Sequence, residues 1–317
     1  MNRRNFILGA GTAVLMLKVA AIQAKDPTAN SETVQLWSDV PPGGGGPSGN
    51  HLLTSHGSLS NVTRPYLQIF RPVKPNGKAV IVAAGGGYKR IELGIEGWPL
   101  ADWLTERGYT AYVLAYRLPS EGWNAGNIVA LQDAQRALRI VRSRESHVSL
   151  LGFSAGGHLM GMTATLGDSQ TYAAQDSIDS ISAVVEGAAL IYPPITLERP
   201  YTHTSTHKVL VGPDASAQEE AEWSVQNRVT GSTPPEFLVQ AEDDSVVDPQ
   251  NTLIMAAACK QRGVAVEMHR YATGGHGFGL GRGDAPTKEW PGRYEAWLGR
   301  LGVVGVRSGS RDQSYGS

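Results

Sequence analysis

From Tyr66 onward, short apolar runs alternate along the chain with longer amphipathic ones. Tyr66 to Phe70 and Ala79 to Ala83 read as strands, separated by the turn residues Pro75, Asn76 and Gly77. Trp98 to Arg107 reads as a helix, with Pro99 in its first turn and Gly108 past its end. Thr110 to Ala115 is the next strand. Between Asn127 and Ser143, the residues Ile128, Leu131, Ala134, Leu138 and Val141 fall on one helical face, which is expected to lie on a sheet. Val148 to Leu151 then reads as a strand, Ala155 to Leu166 as a helix and Ala183 to Ile191 as a long apolar strand. The strand Phe237 to Ala241, the helix Pro249 to Arg262, the strand Val264 to Arg270 and the helix Arg293 to Leu301 complete the series. This alternation predicts an α/β fold: a mostly parallel central sheet with helices on both faces, in a single domain over residues 61–303.

Residues 25–60 lack that pattern and read as an N-terminal extension with a Gly/Pro linker, Pro41 to Pro47, which suits neither helix nor strand. Gly44, Gly46 and Gly49 form a G-x-G-x-x-G there. Pro47 lies inside it, no apolar strand leads in and no helix follows, so it is not read as a dinucleotide loop. Residues 304–317 read as a flexible Gly/Ser-rich tail.

Composition narrows the function. The 317 residues carry 28 Lys+Arg against 29 Asp+Glu, a balance that argues against a nucleic-acid partner. Cys259 is the single cysteine, which excludes an internal disulfide and any multi-cysteine metal site. Residues 1–24 place Arg3-Arg4 before an apolar run from Phe6 to Leu17, the form of a twin-arginine export signal with cleavage near Ala24. That run is about a dozen residues against the ~20 that span a bilayer, so no stable membrane association is expected and the protein is read as periplasmic or secreted. Removing Arg3, Arg4 and Lys18 with that segment takes the formal charge from −1 to −4.

Candidate chemistry begins at Gly152-Phe153-Ser154-Ala155-Gly156, a G-x-S-x-G with an apolar strand leading in and a helix leading out. A sharp strand-to-helix turn exposes the serine at the sheet edge, and the Ala155 N–H at the helix start points where an oxyanion would form. A serine needs a base, and the base an orienting acid. His276, in the glycine-rich loop after the last strand, fits the base. His269 is expected within that strand, and His158 on the helix after Ser154 is expected to be packed. His203 and His207 lie in a stretch where Thr202, Thr204 and Thr206 argue against a helix, and no third metal ligand is evident. For the acid, the loop after Phe237 to Ala241 offers Glu242, Asp243, Asp244 and Asp248. Asp244 is preferred because Asp-x-x-Val is the common form of this loop; Asp243 is the second candidate, and Asp248 is expected to cap the following helix. Gly85-Gly86-Gly87, directly after the strand ending at Ala83, would let main-chain N–H groups approach a substrate carbonyl.

At these residues the chain resembles esterases of the α/β-hydrolase superfamily, and among them the bacterial xylan and other carbohydrate acetyl esterases. The likeness runs through Leu36-Trp37, Gly85-Gly86-Gly87-Tyr88, Glu96-Gly97, Tyr116 to Pro119, Gln132 to Ala137, Gly152 to Leu159, Ile191-Tyr192-Pro193, Pro234 to Phe237, Asp243-Asp244 and Gly274 to Gly279. It departs where Ala84 stands in place of the usual Pro or His, where Asp248 stands in place of proline, and in the short connection Arg144 to Val148. The resemblance implies Ser154, Asp244 and His276 as the triad and the amides of Gly86, Gly87 and Ala155 as the oxyanion hole, with neither metal nor cofactor. It implies an acetylated oligo- or polysaccharide as substrate, with feruloyl or general short-chain esters as the alternative. A prolyl-oligopeptidase-type peptidase shares the triad order but usually carries a further large domain. A carbohydrate-binding protein on a retired hydrolase scaffold should have lost one of the three side chains, and none is lost. Tyr88, Trp98, Trp123 and Tyr192 offer faces for stacking a sugar ring, with core packing as the alternative, and of these Tyr88, Trp123 and Tyr192 are taken as candidate substrate contacts. Arg117, Asp133 and Arg136 are expected to hold loops and the sheet edge rather than do chemistry; for Glu96 both roles stay open.

Overall fold

The computed structural model describes residues 31–302. The export segment and the tail therefore lie outside the described residues. The elements run in chain order β1 (Glu32–Gln35), β2 (Leu52–Leu53), β3 (Ser58–Ser60), β4 (Tyr66–Phe70), β5 (Lys78–Ala83), β6 (Ile91–Glu92), α1 (Trp98–Glu106), β7 (Thr110–Ala115), α2 (Val129–Arg142) and β8 (His147–Phe153). They continue with α3 (Ala155–Leu166), β9 (Ala188–Ile191), α4 (Ser205–Leu210), α5 (Ala217–Glu222), β10 (Glu236–Ala241), α6 (Gln250–Gln261), β11 (Val266–Tyr271) and α7 (Trp290–Arg300).

Eight strands form the main sheet in the order β1-β4-β7-β5-β8-β9-β10-β11. β1, β4 and β7 pair antiparallel, and β7, β5, β8, β9, β10 and β11 pair parallel. The central parallel strands have both faces covered, so Ala79 to Ala83 and Val148 to Phe153 are all buried. On one face α1 meets α7, with the Trp103 and Tyr294 rings stacked at 6.1 Å. On the other, α3 packs against β8 and β9 with α2 alongside it, and α6 covers β10 and β11. All six strands of the parallel run end at the same edge, so the loops that follow them converge there.

Three expectations are corrected. Residues 31–60 are not an appendage to the domain, since β1 pairs with β4 at the edge of the main sheet and β3 joins β2 to β6 in a small second sheet. The Gly/Pro stretch packs on Trp123, to which Gly45 forms a β-bridge. The strand expected from Ala183 begins only at Ala188, after Gly187, which lies against the Trp297 ring, where a Cβ would sit 2.7 Å from it. The 202–206 stretch does carry a helix: Thr204 is its N-cap, its hydroxyl accepting the His207 N–H at 3.1 Å, so the threonine taken as a breaker is the start signal.

A buried ion pair fastens the antiparallel side. Arg117 Nη2 lies 2.9 Å from Asp133 Oδ1, both side chains fully buried. Trp37 Nε1 donates to the same carboxylate at 2.8 Å, and Arg117 Nη1 donates to the Pro42 carbonyl at 2.8 Å. The pair thus joins the N-terminal stretch, the end of β7 and α2. Arg136 donates to the Leu36 carbonyl and to Asp176 and Asp179, so the expected loop-holding role of all three charged residues is met.

Glu236 is the opposite case: it is fully buried on β10, and neither carboxylate oxygen has a hydrogen-bond partner among the described residues. Burial pushes its pKa well above the ordinary value and holds it as the neutral acid. A raised acid pKa adds stability that is full below the unfolded value near 4.5 and is lost as pH rises toward the folded one. Glu236→Met should therefore stabilise the protein by about 1–3 kcal/mol at neutral pH. Melting temperatures measured from pH 4 to 9 should show the gain widening with pH; a gain independent of pH would contradict the assignment.

Candidate active site

β8 runs straight into α3, and the turn between them is tight enough to dictate its residues. Ser154 adopts φ 49° and ψ −121°, a backbone conformation that is strained for a side chain with a Cβ. It is held by close packing on either side. A Cβ on Gly152 would lie 2.3 Å from the Gly156 carbonyl oxygen, and one on Gly156 would lie 2.1 Å from that of Ala83. With these glycines the first turn of α3 presses against the end of β5, and Ser154 projects from the sheet edge. Its N–H donates to the Ile191 carbonyl at 3.0 Å, which fixes the elbow to β9 as well.

The predicted partners meet there. Ser154 Oγ lies 2.8 Å from His276 Nε2, and His276 Nδ1 lies 2.8 Å from Asp244 Oδ2. The loop after β10 holds the acid: Asp244 Oδ1 accepts the N–H groups of Val246 and Val247 at 2.9 and 3.0 Å, and Oδ2 accepts Gln240 Nε2 at 2.9 Å. Burial would raise this carboxyl's pKa, but the His276 hydrogen bond and charge, with the two amides, outweigh it and hold the group below the ordinary value. Asp244 is therefore the ionised orienter. Asp243, the second candidate, faces the other way and accepts the Gly275 N–H at 2.7 Å, bracing the base loop. Asp248 accepts the Gln250 N–H at 2.9 Å at the start of α6, as expected of a cap.

The other candidate histidines have partners of their own. His158 is fully buried between the Tyr88 hydroxyl at 2.9 Å and the Trp223 carbonyl at 2.7 Å, and burial pushes it down to about 4, so it stays neutral. His203 Nε2 lies 3.1 Å from the Val246 carbonyl, whereas His207 Nε2 lies 3.2 Å from Glu220 Oε1; the two histidines share no acceptor. His269 lies on β11 as expected.

Gly86 and Gly87 line a cavity of about 410 Å³ that opens on Ser154 and His276. The Ala155 N–H, in the first turn of α3, has no intrahelical acceptor and completes the set of candidate oxyanion donors. The remaining wall mixes apolar surface with polar groups: Lys89, Arg90, Glu92 and Glu96 from one side and Thr204, Ser205 and Thr206 from the other. Ile95 and Val246, both about half exposed, flank the opening.

The three aromatic candidates for substrate contact are corrected. Tyr88 is buried on His158, Trp123 is buried under Gly46 with the Arg117 guanidinium 5.0 Å from its ring, and Tyr192 is buried against His276 with ring centroids 4.8 Å apart. Each packs a loop, and none lines the cavity. The threonines at 202, 204 and 206 conceal the wall from Thr204 to Thr206 in the sequence; the hydroxyl of Thr204 ahead of a helix-length segment is its signal.

The nucleophile elbow on a mostly parallel sheet and the Ser-His-Asp relay define a serine hydrolase of the α/β-hydrolase superfamily. A sequence profile of the prolyl oligopeptidase family matches residues 122–300, and the chain belongs to that family. The crystal structure of an acetyl ester-xyloside bifunctional hydrolase from Caldicellulosiruptor lactoaceticus is 31% identical, with a TM-score of 0.72 over 86% of this chain and 97% of the other. An acetylxylan esterase of Xylanibacter ruminicola is 28% identical over 235 residues, 71% of this chain and 46% of that protein. An endo-1,4-beta-xylanase B of Butyrivibrio fibrisolvens is 31% identical over 206 residues, 63% of this chain and 32% of that protein. The chain thus spans less than half the length of these two curated relatives.

The geometry separates the two acidic candidates. Asp244→Asn should lower kcat by about 10⁴-fold, because the imidazole loses its orienting anion. Asp243→Asn should cost about tenfold at most, the scale of one exposed hydrogen bond. Steady-state rates on a small aryl acetate decide it, and the reverse order would move the acid to Asp243.

Proposed function

We propose that the protein is a serine esterase that removes O-acetyl groups from xylan or xylo-oligosaccharides. The likeness at 31% identity over nearly the full length of an acetyl ester-xyloside hydrolase carries this reading. The acetylxylan esterase among the relatives supports it, as do the hydroxyl and charged side chains of the cavity wall, which suit a sugar better than a long acyl chain. A mildly acidic chain with an uncharged ester substrate is consistent with the charge balance. Arg3-Arg4 ahead of the apolar run supports export, so the proposed site of action is the periplasm or beyond.

The reaction follows from the atoms in place. Ser154 Oγ attacks the acetyl carbonyl while His276 Nε2 takes its proton, and Asp244 stabilises the imidazolium that forms. The Gly86, Gly87 and Ala155 amides receive the oxyanion of the tetrahedral intermediate. Collapse breaks the bond to the sugar oxygen, which leaves with the proton returned by His276. Water, deprotonated by the same nitrogen, then attacks the acetyl-Ser154 ester and frees acetate.

Acetate release from acetylated xylan should exceed ferulate release from feruloylated xylan by at least about tenfold in kcat/KM, a discrimination within the reach of pocket shape. A proline peptide should remain intact. Comparable turnover of the feruloyl ester or of the peptide would displace the acetyl-sugar reading while leaving the triad standing.

A further inference from the structure

Glu96 lies in the cavity wall with only 4% of its surface exposed, and each oxygen holds a different catalytic loop. Oε2 accepts the Gly85 N–H at 2.7 Å, at the root of the Gly86-Gly87 oxyanion loop. Gly85 is wedged there: a Cβ on it would lie 2.7 Å from Ser154 Cβ and 2.9 Å from Glu96 Oε2. Oε1 accepts the Tyr192 hydroxyl at 2.8 Å. That hydroxyl in turn accepts the Gly279 N–H at 3.2 Å, three residues beyond His276, and the Tyr192 ring packs edge-on against the imidazole. Trp290 Nε1, donating to the Gly279 carbonyl at 2.9 Å, anchors the far end.

We infer that Glu96 is a positioning residue that locks the oxyanion loop to the base loop through Tyr192, so that the donors and the base keep a fixed separation about Ser154. Its partners are all in loops that carry or support the reacting groups. Tyr192, the residue after β9, joins the two loops, and its φ of 41° turns the ring and hydroxyl toward the site rather than along the strand. A buried carboxyl without its partners is strongly disfavoured, so the arrangement either forms with both links or is lost as a unit. The role is to preserve alignment during the chemical step and makes no demand on substrate affinity. The inference rests on the serine-hydrolase reading and not on the choice of sugar ester.

The test is steady-state kinetics on an aryl acetate, with circular dichroism and Tm confirming the fold. Glu96→Ala should lower kcat about 100-fold with KM within about threefold, the pattern of an alignment lost in the transition state. Glu96→Gln, which can still accept from Gly85 while its amide donates to the Tyr192 hydroxyl, should recover kcat to within about tenfold of wild type. Tyr192→Phe should lower kcat about tenfold, and the Glu96→Ala/Tyr192→Phe double variant should be no slower than Glu96→Ala alone by more than about threefold, since both cut one link. Should Glu96→Ala fail to fold, Tyr192→Phe and Glu96→Gln carry the test. A folded Glu96→Ala or Tyr192→Phe within about threefold of wild-type kcat, losses that multiply in the double variant, or effects confined to KM would overturn the inference. Ser154→Ala, assayed in parallel, separates this failure from that of the serine-hydrolase reading, because only the latter leaves Ser154→Ala active.

Discussion

The site depends on one strained peptide. Ser154 is held at φ 49° because α3 presses so closely on the ends of β5 and β8 that only glycine fits at 152 and 156. Relaxing that turn would rotate Oγ away from His276, and no other contact could restore it. The strain is sustained by the apolar packing of the five-residue buried run in β5 and the six-residue buried run in β8, from which water is excluded on both faces. Stability of the sheet and competence of the nucleophile are therefore the same property.

Around that turn, buried polar groups set the loops. Arg117 and Asp133 fasten the N-terminal stretch to β7 and α2, Asp244 is held by two amides and Gln240, and Glu96 bridges the oxyanion and base loops. Each is a charged or acidic group out of water whose hydrogen-bonding capacity is filled by specific backbone and side-chain atoms. Such groups are poor contributors to net stability, but they tolerate few alternative arrangements, and that selectivity is what a site built from four separate loops requires. Glu236 shows the contrast: buried without partners, it positions nothing on this edge of the sheet.

Much of this was legible in the sequence because it rests on local chemistry. The strand Tyr66–Phe70, the strand Thr110–Ala115 and the helix Ala155–Leu166 are found where their periodicity places them. The triad order and the loop after β5 follow from the G-x-S-x-G and its flanking elements. What was not legible depends on contacts distant in sequence. Tyr88, Trp123 and Tyr192 look alike as aromatic faces, and only the tertiary packing shows that they support loops instead of meeting substrate. Glu96 finds its partners 11 and 96 residues away, a pairing that no spacing rule predicts. Residues 31–60 join the domain through an antiparallel edge strand, Glu32–Gln35, too short and too exposed to announce itself by periodicity. Thr204 misled for another reason: the residue type that weakens a helix inside it begins one at its edge.

A single serine, strained into place at the head of α3, should become covalently acylated during turnover. Quenching a reaction with an aryl acetate in acid within its first turnovers, followed by peptide mapping by mass spectrometry, detects that species. One acetyl group is expected on the peptide containing Ser154, absent in Ser154→Ala and increased where deacylation is slowed. Acetyl found on another residue, or turnover undiminished in Ser154→Ala, would contradict it.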